Sequence, residues 1–417
     1  MTGPFPLDQK AKRRKVLVDL RGLDPSGING GLQTYVIWLI KWVVKNHRDK
    51  FSFLAVGRVE NVDLVSSLLG EEDALWIEGP LEATLSQGGE GTPVVVSGAW
   101  SVHTAVSKLD IQTVYAPLGA LPCLSIPGVH SVGLVADMLH MEMPMCLDPT
   151  TVKTRVRNIE TLVKHASSIQ CISHSSETRL HHHVPAAIGK TFFSYLPVQD
   201  RFESDSRKEG LIPEIARPKS GRSYFFYPAN FWPHKNHLAL IIGYHQYVTK
   251  QGADAWDLVL TGADYGGGMG RAVETVKALR LEGRVQFLGY VSDQELGRIW
   301  RGAGGLVFPS LHEGFGIPLI EAMHHRVPIL TSPNYSLLEI AGSAALYFNP
   351  QKPEQIGDRM MELASSPDLS AKLAERGADR LTQFSDSREA SLVVDALLGQ
   401  MPKRPPATLQ SLCGCPL

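Results

Sequence analysis

The alternation of apolar and polar positions sets out the architecture. A short apolar run at 15–20 is followed by a loop over 21–31 that holds Pro25, Gly27, Gly30 and Gly31. Leu32, Tyr35, Val36, Leu39, Ile40 and Val43 then recur at the spacing of one helix face. Further apolar runs at 51–56, 93–97, 113–116, 131–136 and 168–172 read as strands, and Val152, Val156, Ile159 and Val163 line a helix between the last two. The pattern weakens over 201–221, where Arg207, Lys208, Pro213, Pro218, Lys219 and Gly221 interrupt it, as in a linker. It resumes with strands at 223–227, 257–261, 284–288, 305–308 and 327–331. Among these are a helix from Asn236 and another opened by the capping box Ser292-x-x-Glu295.

Strands that alternate with helices imply parallel sheets covered on both faces. The predicted class is therefore α/β with two Rossmann-like domains facing a cleft. The first covers 1–200, 201–221 is the linker, and the second covers 222–385. A C-terminal helix over 386–400 is expected to pack back on the first domain, ahead of a tail over 401–417. Ligands of such sheets bind at the carboxyl ends of the strands.

Composition removes whole classes of function. The chain has 417 residues, 43% hydrophobic and 20% charged, with a net charge of −1. That balance suits globular domains and gives no general attraction to nucleic acid. No apolar run reaches membrane-spanning length, and the first residues lack a secretory pattern. Five cysteines, few and odd in number, fit a reducing cytoplasm. A location at the inner face of the membrane rests on the basic residues Lys10, Lys12, Arg13, Arg14, Lys15, Lys153, Arg155, Arg157 and Lys164, which would meet anionic lipid; such residues more often form a solvated face.

The chemistry concentrates in His312-Glu313-Gly314-Phe315-Gly316-Ile317-Pro318-Leu319-Ile320-Glu321. An apolar strand ends just before it, and Pro318 suits a helix start. Glu313 should then lie on a strand-to-helix loop and Glu321 about one turn into the helix. The loop glycines let a ligand approach the backbone, and the amides of a helix start favour an anion. Carboxylates on both sides accept hydrogen bonds from hydroxyls. Phosphate flanked by hydroxyl-rich groups describes a nucleotide-sugar. Lys235, after the first strand of the second half, offers a cation to a departing diphosphate. Gly30 and Gly31 would allow close approach at the first helix. No dinucleotide or P-loop fingerprint is present. The run 266–270 reads as a mobile loop, and His181–His183 as a polar surface segment, since consecutive histidines do not converge on one ion.

These residues resemble the retaining glycosyltransferases of the large family four, which have the GT-B fold. The likeness is strongest over 223–350. Glu313 and Glu321 look like its two-glutamate signature, and Gly314-Phe315-Gly316 with Ile317 like its sugar-binding loop. Lys235-Asn236 is similar to its diphosphate motif, and 336–342, with Glu339, to the segment closing the donor site. Gly30-Gly31 resembles its N-terminal glycine pair, and Ser173-His174-Ser175 its serine turn. The variant 227–237 looks like members that build bacterial surface polysaccharides with mannose or deoxysugar donors.

The resemblance implies that Glu321 holds the ribose, Glu313 and the loop amides hold the sugar, and Lys235 neutralises the diphosphate. No metal or other cofactor is expected. The acceptor would be a glycan or lipid-linked glycan whose hydroxyl attacks the donor sugar from the front face, with retention. Three departures stand out. Ala136-Asp137 replaces His-Asp, which suggests a 6-deoxy donor such as rhamnose or fucose. Ala229 replaces an arginine that assists the lysine. Arg326 replaces a glycine before Val327-Pro328, so the local turn is expected to differ. Asp137 is the evident carboxylate of the N-terminal half and joins Glu313 and Lys235 as a catalytic candidate. Two other readings are a sugar-nucleotide epimerase of the same shape and a catalytically silent nucleotide-sugar-binding subunit.

Overall fold

The computed structural model describes residues 13–25, 30–70, 73–77, 94–97, 101–119, 126–196 and 223–404. The expected linker, most of the tail, Cys123 and the Cys413–Cys415 pair lie outside them. The described residues divide into two compact units.

The first unit holds the residues up to Met141, Pro149–Leu196 and Asp386–Arg404. Its strands are β1 (Arg14–Asp19), β2 (Phe51–Gly57), β3 (Ala74–Ile77), β4 (Val94–Ser97), β5 (Thr113–Ala116), β6 (His130–Val135), β7 (Ser168–Cys171) and β8 (Thr191–Phe193). They form one parallel sheet in the order β4-β3-β2-β1-β5-β6-β7-β8. β2 and β5 are buried along their whole length, as a sheet covered on both faces requires. The helix Gly30–Asn46 buries Tyr35, Val36, Leu39, Ile40 and Val43, the positions its periodicity marks. The C-terminal helix, Asp386–Leu397, belongs to this unit. Its Glu389 is fully buried and accepts the backbone N–H of Tyr195 at 2.9 Å, and Arg404 pairs with the same carboxylate. Burial raises the pKa of Glu389, against the pull of Arg404.

The helix expected between β6 and β7 is present. Pro149–His165 buries only Leu162 and Val163; Val152, Val156 and Ile159 are half-buried.

The second unit holds Glu142–Asp148 and residues 223–385. Its strands are β9 (Tyr224–Pro228), β10 (Asp257–Thr261), β11 (Val285–Phe287), β12 (Gly305–Phe308), β13 (Ile329–Thr331) and β14 (Ala345–Tyr347). All are parallel, in the order β11-β10-β9-β12-β13-β14. Counted from β9 this is 3-2-1-4-5-6, the dinucleotide-fold order, whose direction reverses between β9 and β12. The core is aromatic: Phe225 packs on Trp256, with ring centres 4.9 Å apart, and Phe226 edge-on against Trp300 at 4.8 Å.

The glycine run 266–270 is not a loose loop. Gly267, at φ 72°, caps the helix Gly268–Ala278, a backbone conformation that a side chain would strain. The turn at Arg326 also differs from expectation, because it does not change: Arg326 itself adopts the left-handed conformation, at φ 56°.

Candidate functional site

The reversal point of the second sheet gathers the charged residues. β9 ends at Pro228, and its loop carries Lys235 in a short turn, where the Lys235 N–H donates to the carbonyl of Trp232 at 3.0 Å. β12 ends at Phe308, and its loop carries Glu313. Lys235 Nζ donates to Glu313 Oε1 at 2.5 Å. The side chains retain 18% and 11% of their exposure, so the pair is reachable by a ligand yet poorly screened. The ammonium also lies 5.8 Å from the centre of the Phe308 ring. Tyr227, at the end of β9, donates its hydroxyl to the Lys235 carbonyl at 2.8 Å. Burial and the nearby Glu313 charge hold the pKa of that phenol well above its ordinary value, so it stays a donor.

The glutamate loop is braced from behind. Ser336 Oγ donates to the Glu313 carbonyl at 3.0 Å, and Ser332 Oγ to that of Ser310 at 2.6 Å. His312 Nε2 lies 3.1 Å from Glu142 Oε2, with both side chains almost fully buried.

Gly316 then turns the chain into the helix Ile317–His324 at φ 99°. A Cβ there would lie 2.6 Å from Leu337 Cδ2, so glycine is needed for both backbone and space. Pro318 has no N–H to offer. The N–H groups of Gly316 and Ile317 have no protein partner among the described residues. Free amides at a helix start are the kind of group that favours an anion.

The other candidates separate by position. Phe315 is buried and packs against Phe384, so only its backbone faces the loop. Asn236 adopts a left-handed conformation at φ 62°, and its side-chain amide donates to the carbonyls of Pro309 and Pro350 at 3.2 and 2.8 Å. It ties loops together, and both its amide hydrogens are used. Glu321 lies inside the helix and is 3% exposed; Trp300 Nε1 donates to its Oε2 at 3.1 Å. Glu339 is half-buried on the helix Ser336–Ala341, and its carbonyl accepts from Arg380 at 2.6 Å.

Three candidates belong to the first unit. Gly30, at φ 60°, opens the helix that Gly31 continues. Asp137 follows β6; its Oδ1 accepts from Arg155 Nη1 at 3.1 Å and from the N–H of Leu139 at 2.9 Å. No cluster of three or more metal-ligating side chains occurs among the described residues. His181 Nε2 is hydrogen-bonded to Thr191 Oγ1 at 2.7 Å instead, at the end of the helix His174–His183.

Sequence reasoning missed Trp300, Tyr227 and the bracing serines. Trp300 shares a helix face with Leu296 and Ile299 and reads as core; only its indole N–H, which needs an acceptor when buried, signals Glu321. It also missed the stack of Trp232 on Tyr265, with centres 4.0 Å apart, on the same turn as Lys235.

Two Rossmann-like α/β domains in one chain, one of them with a lysine–glutamate pair beside a glycine-capped helix start, define the GT-B class of protein. Residues 210–380 match the family described as glycosyl transferases group 1. The resemblance drawn from Lys235, Glu313 and Glu321 is thereby borne out. The chain is 30% identical over 165 residues to O-antigen chain mannosyltransferase B of Escherichia coli, covering 39% of this chain and 42% of that protein. It is 31% identical over 181 residues to O-antigen chain mannosyltransferase RfbU of Salmonella typhimurium, covering 41% and 48%. It thus spans less than half the length of these relatives. The fold is similar to that of HepE from Anabaena over 93% of this chain and all of that one, with a TM-score of 0.69 at 16% identity.

Proposed function

We propose that the protein is a retaining hexosyltransferase that moves mannose or a 6-deoxyhexose from a nucleotide-sugar to a glycan or lipid-linked glycan. The observation that carries this reading is the Lys235–Glu313 pair across the loops of β9 and β12, beside the unpartnered amides of Gly316 and Ile317. In the unliganded protein the two charges neutralise each other. A diphosphate would draw Lys235 toward itself and toward the two amides, releasing Glu313 to accept hydrogen bonds from sugar hydroxyls. Glu321, its orientation fixed by Trp300, suits ribose hydroxyls, and Glu339 the closing side of the site. Mannosyltransferases among the relatives support the sugar, and the Anabaena HepE structure, solved with UDP and glucose, supports a nucleotide-sugar donor.

The chemistry follows from these groups. The bond from the anomeric carbon to the diphosphate oxygen breaks, and the acceptor hydroxyl bonds to the same face. The departing phosphate oxygen takes the hydroxyl proton, while Lys235 and the amides stabilise the negative charge that develops. No protein nucleophile and no metal enters this scheme. Asp137 would serve as an acid–base group only by leaving Arg155. Ala136 offers no polar side chain toward a sixth carbon, which favours a 6-deoxy donor. Surface association would use the helix Pro149–His165, where Lys153 and Arg157 are exposed beside half-buried Val152 and Val156. No helix among the described residues is long and apolar enough to cross a membrane.

The test is a panel of nucleotide-sugars, including GDP-mannose and deoxysugar donors, with release of nucleotide as readout. Slow hydrolysis of one donor is the expected result. Turnover of GDP-mannose far above any deoxysugar donor would remove the 6-deoxy preference. An isomerised donor would indicate an epimerase, and binding without turnover a silent subunit.

A further inference from the structure

The amino-terminal ends of the second sheet carry a second cleft. Trp256 immediately precedes β10, and Arg326 lies just before β13. Together with Leu363, Ser370, Ala371 and Ala374 they line a space of about 410 Å³. Lys235 and Glu313 sit at the opposite, carboxyl ends of the strands. The helix Ile317–His324 runs between the two poles. Gly316 caps it at the donor loops, and the Arg326 N–H donates to the Met323 carbonyl at 3.1 Å at its other end.

The size falls in the ordinary range for small-molecule sites, about 300–1,000 Å³ with mostly apolar walls and few polar groups. The aromatic wall is fixed. Trp256 packs on Phe225, its N–H donates to Tyr247 Oη at 2.9 Å, and its carbonyl accepts from Tyr244 Oη at 2.9 Å. The helix Pro367–Leu381 contributes the small side chains Ser370, Ala371 and Ala374 to the lining. Arg326 supplies the charge. Its guanidinium has no hydrogen-bond or ion-pair partner among the described residues. Its left-handed backbone, at φ 56°, costs about 1–2 kcal/mol in a residue that bears a side chain. A strained residue with an unpaired cation over an apolar cleft marks a site for an anion.

We propose that this cleft binds a small aromatic carboxylate, with its ring on the Trp256 indole and its carboxylate on Arg326. The site is independent of the glycosyl-transfer reading, because it shares no residue with the donor loops.

The probe is 2-naphthoate, with the uncharged 2-naphthamide as its control, titrated calorimetrically into the full chain. One naphthoate per chain should bind, at least tenfold more tightly than the amide. Arg326→Gly, which suits the backbone and so keeps the fold, should erase that difference. Ala371→Trp, placed on an exposed helix position to fill the cleft, should weaken both ligands at least tenfold. Absence of saturable naphthoate binding, equal binding of acid and amide, or binding untouched by both variants would each overturn the proposal.

Discussion

The two domains place polar residues at their strand-reversal points in opposite ways. In the first, the loop after β1 consumes its own polar groups. Asp19 is fully buried and held by Arg21, two residues on, at 2.9 and 2.6 Å. Gln33 pairs twice with the backbone of Asp24, and Asn61 donates to the carbonyls of Leu20 and Leu23. In the second, Lys235 and Glu313 meet from loops 78 residues apart and leave two amides beside them unused. Local satisfaction builds a scaffold. A long-range charge pair with open donors is prepared for a ligand.

The comparison breaks most easily at these cations. Lys235→Ala should lower the rate of nucleotide release about 10²–10³-fold, the usual loss when one stabilising charge or donor is removed. Its melting temperature should move little. Arg21→Ala should do the reverse, leaving the buried Asp19 carboxylate without its main partner at a cost of about 3–5 kcal/mol of stability. Activity assays and denaturant titrations on the two variants decide the matter; a large stability loss in Lys235→Ala would make that pair scaffold too.

Loop glycines sharpen the same contrast. Gly316→Ala should destabilise by about 2–4 kcal/mol, because it combines a left-handed backbone with the 2.6 Å contact to Leu337. Gly119, in the first domain at φ 78°, has nothing among the described residues within 4 Å of its missing Cβ. Gly119→Ala should cost only the backbone strain, about 1–2 kcal/mol. Equal losses in chemical unfolding would show that Leu337 does not press on the loop.

Acid separates the domains by the sign of its effect. His237 is buried against Phe231, and burial first of all lowers its pKa to about 3. The unfolded chain binds that proton near pH 6.5 while the native state does not, so stability falls as pH drops from there toward 3. At pH 5 the loss is about 2 kcal/mol. In the first domain Glu389 has the opposite sign. Its raised folded pKa means that the native state takes up the proton before the unfolded chain does, so its contribution improves as pH falls through that value. His237→Phe should therefore remove about 2 kcal/mol of the loss between pH 7 and pH 5. An unchanged pH dependence in equilibrium unfolding would place the acid sensitivity elsewhere.

The contrast also explains what the sequence disclosed. Charged residues flanked by Gly and Pro between an apolar strand and a helix are visible because local spacing fixes their loop. Lys235, Glu313 and the loop position of Gly316 were legible for that reason, and so were the long strands such as β2 and the alternating order. Strands β3, β8 and β14 were not read from the sequence; each is held by parallel pairing with its neighbours β2, β7 and β13. The Trp300–Glu321 bond joins two helices, and the ties from Asn236 to Pro309 and Pro350 span distant loops. Such partners depend on tertiary placement, which no local pattern carries. The helix carrying Val152, Val156 and Ile159 was legible, but how far its apolar stripe is covered was not, because helical spacing marks a stripe without saying what packs on it.

The smallest expected effect lies within the second domain, between two of its left-handed side-chain-bearing residues, at opposite poles. Asn236 and Arg326 have nearly the same φ, 62° and 56°. Backbone strain alone predicts that glycine helps at both. Partners predict otherwise. Asn236 holds two buried carbonyls, so Asn236→Gly should cost about 1–2 kcal/mol as those acceptors lose their donors. Arg326 holds none among the described residues, so Arg326→Gly should gain about 0.5–1 kcal/mol, the strain relief less the greater freedom of glycine in the unfolded chain. Thermal unfolding of the two variants reads the difference as a change of sign. If both lose stability, the arginine has a structural partner and its open guanidinium is not an invitation to a ligand. If both gain, the Asn236 bonds contribute less than the backbone does, and the donor loops are held mainly by the serines behind them.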